Sequence, residues 1–234
     1  MLVKLFGYEL RRLLWNKLFL GLLAATLCCG WFIFTGETIL GAACTAPFSP
    51  WSFGLYLSRL APLAALGELF FLSQYTSPKE RRVSAVTRAA PIKPGKYDAV
   101  RCGAVLVGTL LLCFCGAGLC MAFYALLFGW YDFLSLLAPA VLVWGPVILF
   151  CLGAGLTLGA VHPALPYVLT GAAFLARQLS PVLDLALGGF FSEYPAALGG
   201  LDPDFSVPAQ ALLGRTLYAG IGLGLLLFRR RNRS

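Results

Sequence analysis

Residues 18–35 read LFLGLLAATLCCGWFIFT, a stretch with no charged side chain and no alternation of polar and apolar positions. A bilayer-spanning helix needs about 20 mainly apolar residues, whereas a barrel strand shows about 10 residues of alternating polarity. The stretch therefore reads as a helix suited to lipid. Five further runs share its character: Trp51–Ser73, Ala99–Phe128, Phe133–Ala160, Ala164–Leu187 and Ala209–Phe228. Pro139 and Pro146 interrupt the fourth run, and buried or lipid-facing helices tolerate proline as a kink. Composition agrees: hydrophobic residues fill 59% of the 234 positions and charged residues only 12%. Soluble domains carry about 25% charge, and so few charges cannot cover a water-soluble globule. Disorder, collagen and coiled coil are excluded by the same figures. The sequence predicts an all-α polytopic membrane protein, one domain over residues 1–234 with six transmembrane helices. A long charged stretch precedes the first run and no small-residue cleavage site follows it, so it does not read as a cleaved signal peptide.

Orientation follows from charge. Lys4, Arg11, Arg12 and Lys17 precede the first run. Lys79, Arg81, Arg82, Arg88, Lys93, Lys96 and Arg101 lie between the second and third, and Arg229, Arg230, Arg231 and Arg233 follow the sixth. The loops on the other side hold Glu37, Asp132, Glu193, Asp202 and Asp204, with no Lys or Arg. The positive-inside rule then places both termini and the 74–98 loop in the cytoplasm of a multi-pass protein of the inner or plasma membrane. The net charge of +8 is accounted for by this topology and implies no nucleic-acid partner. Seven of the eight cysteines fall inside the runs, Cys44 lies outside them, and His162 is the single histidine. Without a C-x-x-C or a spaced ligand set, these thiols read as small packing residues, and no metal site is expected.

Three segments outside the runs are informative. In Met1–Lys17, Leu2, Phe6, Leu10 and Leu13 share one helical face, while Lys4, Tyr8, Arg11 and Trp15 share the other. This is the pattern of an interfacial helix with its basic side toward the lipid bilayer; the alternative is a plain extension of the first run. In the loop Gln74–Asp98, Ser77-Pro78-Lys79-Glu80 forms a capping box with Pro at the first helical position. Pro91 disfavours helix at Ala90, so a short helix is predicted from Pro78 to about Ala90. Val83, Val86 and Ala90 share one face of it, and Arg81 and Arg88 another. A defined amphipathic helix here is suited to docking; the alternative is a basic loop that only sets topology. The third segment, Gly188–Pro208, holds Phe190, Phe191, Tyr194, Leu198 and Leu201 among Gly and Pro, as an outer interfacial anchor would.

A basic entry helix (Phe6-Gly7-Tyr8-Glu9-Leu10-Arg11-Arg12-Leu13-Leu14), six runs, and a second cytoplasmic loop ending Thr87-Arg88-Ala89-Ala90-Pro91-Ile92-Lys93, with Tyr97 and Arg101 beyond it, make a combination. It resembles the permease subunit of type-2 ATP-binding-cassette exporters over the whole chain. The resemblance implies that the loop is a coupling helix docked on a separate cytoplasmic ATPase, with Pro78, Glu80, Arg81, Val83, Val86 and Arg88 as the coupling residues. It also implies pairing with a second permease, identical or similar, and short re-entrant helices within 188–208. ATP and Mg would belong to the partner ATPase, with no cofactor on this chain. The sequence departs from the family by having Pro78, Lys79 and Arg82 where an acidic residue and a Gly are common.

Ionisable side chains inside the runs are costly, about 2.5–3.5 kcal/mol at a helix centre on insertion scales. They are Arg59 and Glu68 in the second run, Arg177 and Asp184 in the fifth, and Arg215 in the sixth. Arg177 and Asp184 are seven apart, two turns along one face of a continuous helix, and would join one polar strip. Arg59, Arg177 and Arg215 are candidates to line an outward cavity and meet an anionic substrate group; snorkelling to outer phosphates is the alternative. Gly153, Gly155 and Gly159 permit close helix approach in the fourth run.

No G-x-x-x-x-G-K-[ST] occurs and no soluble stretch is long enough for a nucleotide domain, so the chain is not a complete ATP-driven pump. One histidine and no glycine-flanked serine argue against an intramembrane hydrolase, and no catalytic residue is expected. The function expected is a permease subunit that forms the translocation pathway of an exporter. The alternatives are a secondary transporter, and a non-transporting membrane scaffold or immunity-type protein.

Overall fold

Asn16 separates the first two helices. Its Oδ1 accepts the Leu18 amide at 3.2 Å, ending α1 (Leu2–Leu14) and restarting the chain as α2 (Lys17–Gly36). The computed structural model describes residues 2–76, 94–199 and 201–231. Six more helices follow: α3 (Pro50–Thr76), α4 (Pro94–Phe128), α5 (Leu137–Val161), α6 (Leu165–Leu175), α7 (Gly188–Leu198) and α8 (Ala209–Arg231). No strand occurs among the described residues. The protein is all-helical, and α2, α3, α4, α5 and α8 are each long and apolar enough to cross a membrane.

The core is built around α3, where Trp51, Phe53, Tyr56, Leu57 and Phe71 are fully buried. The Tyr56 hydroxyl donates to the Gly116 carbonyl at 2.8 Å, joining α3 to α4. On its other side α3 meets α5, where Gly155 leaves room for Leu72 and Leu69. On the next face of α5, Gly153 meets Gly222 of α8 backbone to backbone, with no space for a Cβ on either. Gly159 is also buried. Gly153 and Gly155 therefore admit the two neighbours of this helix.

Helix direction can be read from the same contacts. Phe150 faces Tyr218 at 5.4 Å, Gly153 faces Gly222, and the Leu156 carbonyl accepts Arg229 Nη1 at 2.7 Å. Both numbers rise together, so α5 and α8 run parallel. The start of α4 and the end of α8 share one end of the bundle, where Arg229 lies 3.9 Å from Asp98. α1 lies at that end too, with Phe6 against Gly103 and Leu13 against Gly108 of α4. We term it the basic end.

The fifth run departs from expectation. Residues 164–187 are not one helix: α6 stops at Leu175 after 11 residues, and short 3-10 turns follow at Ala176–Gln178 and Pro181–Leu183. Pro181 disfavours the helical conformation at Ser180, and the Gly188-Gly189 pair allows a new helix to start in a new direction. The helix of the fourth run, α5, begins at Leu137 rather than Phe133, which puts Pro139 in its first turn, where a missing amide is harmless. α1 is a separate helix, not an extension of α2. The expected helix Pro78–Ala90 lies outside the described residues.

Candidate functional site

Breaking a helix inside an apolar bundle frees carbonyls and amides that have no water to satisfy them. Between α6 and α7 the protein answers this with three side chains. Asp184, nearly fully buried, accepts the Ala186 amide on Oδ1 at 3.0 Å and the Gly189 amide on Oδ2 at 3.1 Å. The carboxylate thereby holds the entry to α7, including Leu187 in the left-handed region at φ +58°, a conformation that costs a leucine energy. From α8, Arg215 donates Nη1 to the Leu185 carbonyl and Nη2 to the Asp184 carbonyl. One turn on, the Tyr218 hydroxyl donates to the Leu183 carbonyl at 2.8 Å. Gly214 completes the fit, because any Cβ there would run into the Val182 carbonyl. The planar, forked guanidinium suits a pair of adjacent carbonyls, and Asp184 balances its charge.

Beside this break, between α7 and the start of α8, lies a pocket of about 480 Å³. Val182, Asp184 and Leu187 line it from the broken segment, Phe190, Glu193 and Tyr194 from α7, and Gln210 and Ala211 from α8. The opposite face of α7 is clamped to the start of α3. Phe191 occupies the space a side chain at Gly54 would need, and Trp51 packs against Phe190 at 5.4 Å and Phe205 at 5.0 Å. Trp51 Nε1 donates to the Pro203 carbonyl at 2.9 Å, and Asp202 accepts the Ala46 amide at 3.2 Å. The aromatic residues of 188–208 thus form a packed cap over α3.

No protein-family model, no curated protein and no solved structure matches this chain.

Of the ionisable residues singled out in the runs, the structure brings Asp184 and Arg215 together and places Arg59 and Glu68 elsewhere on α3. Arg59 pairs with Glu37 at the end of α2, Nε to Oε2 3.0 Å, with both side chains about half exposed (46% and 49%). Glu68 is fully buried in α3, facing the thiols of Cys113 on α4 and Cys151 on α5, and neither of its oxygens has a hydrogen-bond partner among the described residues. Arg177 lies in the 3-10 turn after α6 and is described in its backbone only. Arg177 and Asp184 do not share a face of one continuous helix as expected, because the chain between them is two short 3-10 turns. The coupling candidates Pro78, Glu80, Arg81, Val83, Val86 and Arg88 lie outside the described residues.

One cluster escaped the sequence reading. Glu9, in the amphipathic α1, is 2% exposed; it accepts Tyr97 Oη at 3.2 Å and Arg101 Nε at 3.5 Å. The Arg101 guanidinium in turn lies over the rings of Tyr97 at 4.3 Å and Tyr75 at 5.0 Å. This knot joins α1, the end of α3 and the start of α4. The available signal was Glu9 itself, the one acidic residue in a basic segment and next to its apolar face.

Proposed function

We propose that this chain is the membrane-spanning permease subunit of an exporter of the ATP-binding-cassette type-2 class, worked by a separate cytoplasmic ATPase and paired with a second permease. The observation that carries this reading is the knot of Glu9, Arg101, Tyr97 and Tyr75. It sits where the basic 77–93 segment leaves α3 and re-enters α4. A force applied to that segment is passed to three helices at once instead of being lost in loose helix ends.

Two further features support a transport role. The parallel run of α5 and α8 favours a sixth crossing by residues 162–208, with α6, the break and α7 as its parts; the positive-inside rule then puts the basic end in the cytoplasm. In that arrangement α1 lies along the inner membrane surface, with its Lys4, Tyr8, Arg11 and Trp15 stripe toward lipid. An interrupted helix beside a pocket is also a feature of transport sites in membranes. The secondary-transporter reading draws on one specific observation, the buried carboxyl of Glu68, which has no hydrogen-bond partner among the described residues.

The test is co-purification from native membranes with a nucleotide-binding subunit whose ATP turnover depends on this chain. Turnover should fall when Val83 or Val86 is replaced by Glu. A chain that purifies without an ATPase, or an ATPase indifferent to its presence, overturns the reading.

A further inference from the structure

Glu68 sits inside the bundle on α3 with no exposed surface, and neither carboxyl oxygen has a hydrogen-bond partner among the described residues. Its surroundings are apolar and tight. Leu69 and Leu72 press on Gly155 of α5, while Leu112 of α4 and Leu22 of α2 close over Gly67. The titratable groups that face the carboxyl are two thiols, Cys113 from α4 and Cys151 from α5. From α6, Tyr167 packs against Phe70, and Lys17 at the start of α2 is exposed. The cations of the basic end are engaged elsewhere: Arg101 with Glu9, and Arg229 with the Leu156 carbonyl and Asp98. Arg177 leaves the backbone ten residues past Tyr167, about 15 Å farther along the chain.

An ionised carboxylate in such a place has neither a counter-charge nor a donor, and taking it out of water carries a heavy penalty. The neutral acid avoids that penalty, so it is the form the packed helices accept. We propose that Glu68 is a proton-binding site that the bundle closes over. The packed arrangement of α3, α4 and α5 holds the acid. Its proton reaches water only when these helices part, and the ionised carboxylate then remains where water surrounds it. A metal ion is a poor occupant, since no group of three His, Cys, Asp or Glu able to hold one exists among the described residues. A second buried polar group marks the side on which the seam opens. Thr109 lies one turn from Cys113 on the same face of α4, toward the basic end. It is fully buried, and its hydroxyl also lacks a hydrogen-bond partner among the described residues. Arg101 lies two turns farther on, so water entering from the basic end meets Thr109 before Glu68. This is a property of the bundle and does not rest on the permease reading.

The experiment uses the full chain in an ester-free detergent. Infrared spectra at neutral pH should contain the carbonyl stretch of an un-ionised carboxylic acid, shifted in deuterium oxide and absent from Glu68→Gln. Opening is read by alkylation of Cys113 and Cys151 with a charged maleimide, located by peptide mass. Dividing the rate for the unaltered protein by that for Glu68→Gln cancels the thiols' own response to pH. The closed form binds one proton more than the open form, so raising the pH favours opening. Above about pH 5, where a glutamate in water is ionised, the ratio should rise by up to about tenfold per pH unit. Glu68→Asp should keep this pH dependence. Thermal melts identify any variant that fails to fold; if Glu68→Gln does, Glu68→Asp replaces it in the infrared comparison, where the band has to move. Absence of the acid band from the unaltered protein overturns the proposal without any variant. A band unchanged in a folded variant, or a ratio that stays flat with pH, overturns it equally. No ATPase enters either measurement, so this proposal and the permease reading fail separately.

Discussion

Two polar knots hold this bundle, and they are made differently. At the basic end, Glu9 meets Arg101 and Tyr97, side chain to side chain, between helices whose backbones are complete. At the break, Arg215 and Tyr218 meet the carbonyls of residues 183–185, side chain to backbone, where a helix has been taken apart. The first is a joint between finished elements; its partners are matched to each other and could be replaced together. The second replaces hydrogen bonds that the backbone has lost, so its carbonyls remain whatever is done to the side chains. Removing a donor therefore costs more at the break than removing a partner at the joint.

Arg215→Leu should have the largest effect. It strips two buried carbonyls of their donors and leaves Asp184 without its balancing charge, a loss on the order of 3–5 kcal/mol. Thermal unfolding in detergent should show a collapsed or much lower transition, with Arg215→Lys intermediate because a point charge cannot fork across two carbonyls. A Leu variant that melts like the unaltered protein would remove the distinction between the knots. At the joint, Glu9→Ala and Arg101→Leu should each destabilise by about 2–3 kcal/mol, and the double variant should recover much of that loss. The cycle is measured by the same melts. Strict additivity would show that the pair is not coupled.

The five long helices were legible because hydropathy alone specifies them: each is a run of lipid-compatible residues longer than a bilayer needs. The break was not legible on that basis. Residues 164–187 are as apolar as their neighbours, and hydropathy does not register where a backbone stops hydrogen-bonding to itself. Local signals existed in Ser180-Pro181 and Gly188-Gly189, but proline and glycine are common in membrane helices and do not settle the matter. Asp184 and Arg215 were recognisable as costly residues, while their meeting, 31 positions apart, depends on how α8 packs against the broken segment. Glu9 was legible as an anomaly and its partners were not, since Arg101 lies 92 positions away and had a sufficient explanation in topology. Arg59 and Arg215 were legible by depth, but the acceptors that occupy them, Glu37 and the carbonyls of residues 184 and 185, were not.

Gly214→Ala separates close approach from hydrogen bonding at the break. The added methyl has to push α8 away from the Val182 carbonyl, at a cost of about 1–3 kcal/mol, and it should weaken the Arg215 bonds without altering a polar group. Gly220→Ala on the same helix meets nothing within 4 Å and should be neutral or slightly stabilising. If the two alanines melt alike, α8 is not seated as tightly on the break as Arg215 requires.

The smallest effect belongs to Arg59. Its pair with Glu37 resembles the Glu9 joint in linking two helices, α3 to the end of α2, yet both side chains are about half in the open. Solvent and salt screen such a pair, and exposed ion pairs contribute under about 1 kcal/mol. A double-mutant cycle with Arg59→Ala and Glu37→Ala should therefore give a small coupling that shrinks further in high salt, while the Glu9–Arg101 coupling persists. If the Arg59 coupling instead equals that of the buried joint and resists salt, something not on this chain covers the ends of α2 and α3. A second copy of this chain would then be the first candidate to look for there.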